Sequence, residues 1–402
     1  MKITSDKKLS SNGMREQMDE LPPSPQPKRH LLVDRLSAPF IGMVFLVFMV
    51  AGLWSTVSSV LDGSLVLKPE NLSWSSFLDG KLTGEVNENL GKTPLPEWAA
   101  SLERRLSWLV AGDLGERVRV GCPDWLFLTD ELRLYPQREQ NAAARAQNVI
   151  EIHRALSRRG IELLVVVVPD KTRIQAAQLC GLGRSKLLDD RVQSWVERLI
   201  AAHVPVVNLE PVLQDLVAQG QDAFLRTDTH WNELGAQAAA AAVAQAALAL
   251  KLPLSPHLEL AITPNKAEPR PGDLVRLAGI DALPLHLQPK ADVVAVSRFL
   301  PLEASESPAG ADDLFGDAGL PNTVLIGTSF SRNSNFLSFL ERELHTKIGD
   351  FSKDGGAFSG AAVAYFSSAA FKDTPPRLIV WEIPERVLEE SWQNIEVSLG
   401  AE

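Results

Sequence analysis

Two short stretches hold residue types that can do chemistry together. The first, RTDTHWNELGAQ from Arg226 to Gln237, sets Asp228 and His230 two residues apart, with Trp231 and Asn232 directly behind them. The second, LIGTSFSRNS, places Ser329 immediately after a glycine and a threonine. A serine hydroxyl is a weak nucleophile until a base takes its proton, and imidazole serves best as that base when a carboxylate fixes its tautomer and orientation. On an extended or turned segment, residues two apart can face the same side. Asp228 can then reach one ring nitrogen of His230 while the other faces Ser329. The assignment is Ser329 as nucleophile, His230 as base and Asp228 as orienter.

Each part also has a plainer reading. Asn232 is explained by itself as the cap of a helix beginning near Glu233. Ser331 competes as nucleophile, although Ser329 is the one that follows the glycine turn directly. Trp231 reads as a core aromatic as readily as a sugar platform. Lys171, Arg173 and Arg332 stand beside the motifs and can meet an acidic sugar, yet solvated or ion-paired surface charge describes them equally well. No metal centre is expected, because His153, His203, His257, His286 and His345 show no ligand spacing around the pair. No cofactor is expected either.

Such residues need a scaffold that brings distant segments together. AARAQNVIEIHRALSRRG reads as an amphipathic helix ending at Gly160, and IELLVVVVPD after it is an apolar, β-branched run. A run polar on neither face suits a central parallel strand covered by helices on both sides. DRVQSWVERLIAAH followed by VPVVNLE repeats the unit, while NTVLIGTSFS and PRLIVWEIP supply two more strands. Alternation of this kind predicts an α/β fold with a mostly parallel sheet flanked by helices. In open α/β sheets ligands gather beyond the carboxyl ends of the strands, and VVPDKTRIQ, RTDTHWN and LIGTSFSRNS are the segments at such places. A serine on a strand-to-helix turn is exposed beside backbone N–H groups that can stabilise an oxyanion. RVRVGCPDWLFL predicts a strand pair or a strand and turn. The stretch from Ala261 to Pro301, rich in Pro and Leu without clear period, reads as an insertion or long loop. The alanines from Ala238 to Ala242 read as helix packing.

The chain of 402 residues is 45% hydrophobic and 22% charged, enough for a full core. A formal net charge of −10 without a block of Lys and Arg argues against nucleic acid as a partner. From Ala38 to Trp54 the sequence is almost wholly apolar, and one membrane span needs roughly 20 such residues. Lys28, Arg29 and Arg35 precede it, and Lys68 is the near cation on the other side, so the N-terminus is predicted in the cytoplasm. A cleaved signal peptide is the alternative, but a leader of more than thirty residues containing PPSPQP is poorly shaped for one. The expected organisation is a cytoplasmic tail at 1–37, a transmembrane anchor at 38–60, a juxtamembrane linker at 61–95 and a catalytic domain at 96–402. The last would lie on the far side of the membrane, which for a bacterial envelope protein anchored to the inner membrane is the periplasm. There Cys122 and Cys180 are allowed a disulfide, with a buried free thiol as the alternative.

DWLFLTDEL, VVPDKTRI, DTHWN, GDLVRL, GTSFS and IVWEIPER, in that order from about Pro96 to Val387, resemble the alginate O-acetyltransferase branch of the SGNH hydrolase-like group. In that branch the Asp-His pair precedes the serine, as here. By motif position the resemblance puts the nucleophile on Ser329, the base on His230 and the orienting carboxylate on Asp228. It implies transfer of acetyl groups to hydroxyls of an exported polysaccharide, with a membrane-bound O-acyltransferase as acetyl supplier. CPDWLF departs from the glycine-containing turn often found there, which bears on that loop and not on the triad. No appended carbohydrate-binding domain is expected. A neutral, cellulose-type polymer stays open beside an alginate-like one. An acetylesterase and a non-catalytic assembly protein are the competing functions.

Overall fold

The computed structural model describes residues 30–63, 65, 74–91, 93–302, 320–391 and 397–399, so most of the predicted tail lies outside the described residues. The chain divides into two units, one ending at Ala99 and the other beginning at Ala100.

In the first unit, α1 (His30–Leu61) contains the apolar stretch Pro39–Leu61, long and apolar enough to cross a membrane and without buried residues across its most apolar window. The helix starts ahead of the predicted span. What was expected as a linker also carries helices: α2 (Trp74–Leu78), α3 (Lys81–Gly91) and the start of α4 (Pro94–Ala111). The first turn of α4 touches α1, where the Leu95 N–H donates to Ser55 Oγ at 3.4 Å.

The second unit is built around β3 (Glu162–Val168), whose residues after Glu162 are all buried. Alternation along the strand sends Leu163, Val165 and Val167 into one apolar cluster and Leu164, Val166 and Val168 into another. The first cluster takes in α5 (Arg138–Ser157) and α7 (Arg191–Ala201). The second takes in α8 (Glu210–Ala218) and α9 (Glu233–Ala249). Each such Val or Leu contributes roughly 1.5–3 kcal/mol by leaving water, which is why this strand is polar on neither face. Along α9 the buried residues Ala236, Ala239, Ala240, Val243, Ala244 and Ala247 recur at helical spacing, so the alanine run is a packing face.

The sheet has five strands among the described residues. Their spatial order is β10 (Gly349–Asp350), β9 (Thr323–Ile326), β11 (Leu378–Pro384), β3 and β4 (Val206–Asn208). Every neighbouring pair is parallel. The chain lays β4 against one edge of β3 and places β9 two positions beyond the other. β11 fills the gap last, so the carboxyl ends of β9, β11 and β3 open side by side. The short edge strand β10 had no signal in the sequence.

Two features complete the unit. The hairpin β1 (Val118–Val120) with β2 (Leu126–Leu128) is antiparallel, and Cys122 is bonded to Cys180, which ties the hairpin to the segment after α6 (Lys171–Ile174). The stretch read as an insertion or loop is ordered. Here β5 (Leu260–Thr263) pairs antiparallel with β8 (Arg298–Pro301), and β6 (Glu268–Arg270) with β7 (Asp292–Val294), with α10 (Asp273–Leu277) between β6 and β7. These strands are two to a ribbon and mostly exposed on one side, so their hydrophobic period is too short to read. The remaining helices, α11 (Ser329–Arg332), α12 (Phe336–Leu344), α13 (Gly360–Ser367) and α14 (Ala369–Asp373), follow β9 and β10.

Candidate active site

Ser329 is the first residue of α11, three positions after β9 ends. A Cβ at Gly327 would stand 2.5 Å from Ser331 Oγ and 2.6 Å from Glu382 Oε2, so only glycine lets the turn close over the sheet. Thr328 caps the helix through its own hydroxyl, which accepts the Phe330 N–H at 3.3 Å. Beneath the turn lies Glu382 of β11, fully buried. Its Oε2 accepts the Thr328 N–H at 2.6 Å and the Ser331 hydroxyl at 3.0 Å, and the Thr328 hydroxyl donates to the same carboxylate. Ser331 is therefore buried and engaged, which leaves Ser329 as the available hydroxyl.

The segment carrying His230 folds back on itself. Phe224 and Trp231 form an antiparallel bridge, and the Leu225 N–H donates to the His230 carbonyl at 3.1 Å. Asn232 then caps α9 by accepting the Gly235 N–H at 2.9 Å, as its residue type implies. His230 Nε2 lies 2.7 Å from Ser329 Oγ, and His230 Nδ1 lies 2.6 Å from Asp228 Oδ1. The His230 backbone N–H donates to the same carboxylate oxygen at 3.0 Å. With Nδ1 carrying its hydrogen toward Asp228, Nε2 is the free lone pair facing the serine, an assignment that follows from the partners.

Burial pushes the Asp228 carboxyl up, but the hydrogen bonds and charge of His230, joined by Arg270, outweigh it and hold the group well below the usual carboxylate range. Arg270 of β6 approaches Asp228 Oδ2 at 3.7 Å and donates to Asn333 Oδ1 at 2.8 Å. Asn333 Nδ2 in turn donates to the Ser329 carbonyl at 2.8 Å. A second acid, Asp273, donates its backbone N–H to Asp228 Oδ2 at 3.2 Å and receives Thr229 through both N–H and hydroxyl. Burial and repulsion from Asp228 raise its carboxyl. A Cβ at Gly272 would fall 1.8 Å from the Thr227 carbonyl oxygen, so glycine is required for α10 to start this close.

Asp228, His230 and Asp273 offer ligand atoms within 4.8 Å of one another. His230 Nδ1 is already taken by Asp228 and Arg270 brings a positive charge to the same carboxylate, which favours a hydrogen-bonded relay over a cation site.

The four expected binding residues fare differently. Lys171 is fully buried, and its Nζ donates to the carbonyls of Leu126, Arg226 and Asp228 at 2.7, 2.9 and 2.9 Å. Burial brings its ammonium down to about 8 against the pull of Glu131 and Asp228. With its three hydrogens spent on the backbone, it supports the Asp228 segment and cannot reach a sugar. Arg173 is likewise inward, donating twice to Glu385 at 2.8 and 2.7 Å. Trp231 is buried among Phe330 and Phe336 and is a core aromatic, not a platform. Arg332 is the one of the four on the surface, 3.6 Å from Asp354. Sequence reasoning gave no role to Arg270, Gly272, Asp273, Asn333 or Glu382. GDLVRL and IVWEIPER marked three of them, but only the fold shows what they touch.

A parallel sheet carrying a serine on the turn after one strand, met by an Asp-x-His pair from a separate segment, defines an SGNH hydrolase-like α/β domain. The family model for the SGNH hydrolase-like domain of the acetyltransferase AlgX matches residues 118–385. The probable alginate O-acetylase AlgJ of Pseudomonas syringae pv. tomato is 31% identical over 318 residues, covering 78% of this chain and 80% of the relative. The corresponding Pseudomonas putida protein is 32% identical over 316 residues, covering 78% and 81%. The solved O-acetyltransferase domain of Pseudomonas putida AlgJ superposes with a TM-score of 0.59 at 28% identity, over 69% of this chain and 94% of that domain. The chain belongs to the SGNH hydrolase-like acetyltransferase family of AlgX.

Proposed function

We propose that this protein transfers acetyl groups to hydroxyls of an exported polysaccharide through an acyl-serine intermediate on Ser329. The observation that carries the reading is the unbroken line from Asp228 through His230 to Ser329, with contacts of 2.6 and 2.7 Å. Ser329 Oγ attacks the carbonyl carbon of an acetyl donor while His230 Nε2 takes the hydroxyl proton. The tetrahedral oxyanion is met by the Ser329 N–H at the head of α11. Collapse expels the donor's leaving group, which takes the proton from His230, and leaves acetyl on Ser329. A sugar hydroxyl then enters, gives its proton to His230 Nε2 and takes the acetyl group, and the proton returns to Ser329 Oγ. Asp228, held ionised, stabilises the imidazolium in both halves.

The names of the relatives support an alginate-type acceptor. The apolar stretch of α1 supports a single membrane anchor with the N-terminus in the cytoplasm and the body in the periplasm. A membrane-bound O-acyltransferase is the acetyl supplier that fits this arrangement. The test is transfer from a chromogenic acetyl ester to uronate or glucan oligosaccharides, read by mass spectrometry of the acceptor. A gain of acetyl on the oligosaccharide that disappears in Ser329→Ala supports the proposal. Serine-dependent ester cleavage that never marks an acceptor, even at high acceptor concentration, makes the protein an esterase.

A further inference from the structure

The residues from Arg226 to Thr229 are gripped by the ribbon of β6 and β7 and by α10. Arg270 and Asp292 are cross-strand partners in that ribbon. Asp292 accepts the backbone N–H groups of Arg226 and Thr227, each at 3.1 Å, and the Thr227 hydroxyl at 3.0 Å. Asp273 accepts the Thr229 N–H at 2.7 Å. Arg270 carries this grip across to the serine turn. Its Nη2 faces Asp228 Oδ2 at 3.7 Å and donates to Asn333 Oδ1 at 2.8 Å, and Asn333 Nδ2 donates to the Ser329 carbonyl at 2.8 Å. Asp228, His230, Ser329, Asn333 and Arg270 therefore close a ring: the acid reaches the serine once through the imidazole and once through the guanidinium and the amide. The backbone carbonyl of Asn333 also accepts the Trp231 indole N–H at 3.4 Å.

We propose that Arg270, acting through Asn333, is a positioning residue that keeps Ser329 at proton-transfer distance from His230. The inference rests on the reading of Ser329 as the nucleophile. The imidazole cannot hold the serine alone, because an acetylated Oγ has no proton to share with Nε2 and the contact lapses between the two half-reactions. The arm through Arg270 and Asn333 takes no part in the proton's movement and persists through both. A guanidinium suits the task, being charged at every working pH and able to donate to Asn333 while it faces Asp228. Its charge has a second effect. The charged groups around the imidazole are Asp228, Asp273 at 3.8 Å and Arg270, with the Lys171 ammonium on the Asp228 carbonyl. Removing Arg270 leaves this surrounding more negative and favours the imidazolium, so the acidic limb of the kcat/KM profile moves to higher pH.

The test is turnover of a chromogenic acetyl ester across pH by the full chain in detergent. Arg270→Met, Asn333→Ala and the double variant are compared with wild type, with Ser329→Ala as control. Each single substitution is expected to lower kcat by about 10- to 100-fold while KM stays within about twofold. The double variant should be no slower than the slower single, because both residues lie on one arm. The acidic limb should rise in Arg270→Met and stay in place in Asn333→Ala. Arg270→Lys, which keeps the charge and loses the fork, should restore the limb without restoring kcat, a split that impaired folding does not produce. Unchanged kcat in both singles, losses that multiply in the double variant, or a raised KM at constant kcat overturns the proposal while serine-dependent turnover in wild type leaves the nucleophile standing. Turnover that survives Ser329→Ala overturns the nucleophile and the proposal with it.

Discussion

At the scale of single residues, Asp228 and Glu382 are both buried carboxyls, yet their surroundings push them in opposite directions. Asp228 is held below its ordinary 3.8 by the groups around it, whereas burial keeps Glu382 above its ordinary 4.5 despite hydrogen bonds from Thr328 and Ser331. As pH falls below about 3.8 the unfolded chain binds a proton at residue 228 before the folded chain does, so the stability from Asp228 is present at neutral pH and lost in acid. The deficit in thermal midpoint of Asp228→Asn against wild type should therefore shrink as pH falls from 7 to 3. Glu382 has the opposite sign. Above about 4.5 the unfolded chain releases its proton first, and stability declines as pH rises through the folded value. Glu382→Gln, which cannot ionise, should gain in midpoint relative to wild type over that rise, as a thermal melt series will show. In catalysis, Asp228→Asn leaves His230 without its orienting acceptor and should lower kcat by on the order of 10³–10⁴ with little change in KM. An unchanged kcat would remove Asp228 from the relay.

At the scale of elements, the site depends on segments packed at distances that few side chains permit. Gly272→Ala would drive a methyl group into the Thr227 carbonyl, displacing either α10 or the Asp228 segment. A shift near 1 Å in such a site costs about 100-fold in rate, so steady-state kinetics of this variant should show that loss with the fold retained by circular dichroism. Lys171→Met would take the ammonium donor from the carbonyls of Leu126, Arg226 and Asp228, of which Arg226 alone keeps the Leu126 N–H at 2.9 Å, and should destabilise by about 2 kcal/mol or more in denaturant unfolding. Elements with long periods were legible from the sequence: the apolar run of β3, the helices around it and the cap at Asn232. The serine turn and the Asp-x-His pair were legible for the same reason, since each lies within a few residues. Arg270, Gly272 and Asp273 were not, because they act on Asp228 from a ribbon more than forty residues away that has too few strands to show a period. Lys171 and Arg173 were misread because a motif gives proximity in sequence, while burial is decided by what β2 and β11 lay on top of it.

At the scale of the whole molecule, distant parts of the chain converge on one turn. His230 and Ser329 are 99 residues apart, and the Cys122–Cys180 bridge, 58 residues in separation, fastens the hairpin that Lys171 also holds. Closing a loop of that length stabilises by about 4 kcal/mol in the chain-entropy account. Reduction should lower the thermal midpoint and loosen the Asp228 segment, seen as faster amide exchange there. The central claim is that Ser329 carries the acetyl group between donor and acceptor, and the most direct measurement is rapid-quench peptide mass spectrometry after mixing the protein with a chromogenic acetyl ester without acceptor. Acetyl mass is expected on the peptide containing Ser329, cleared when an acceptor oligosaccharide is added and absent in Ser329→Ala. Acetyl found on another residue, or acceptor acetylation that persists in Ser329→Ala, would contradict it.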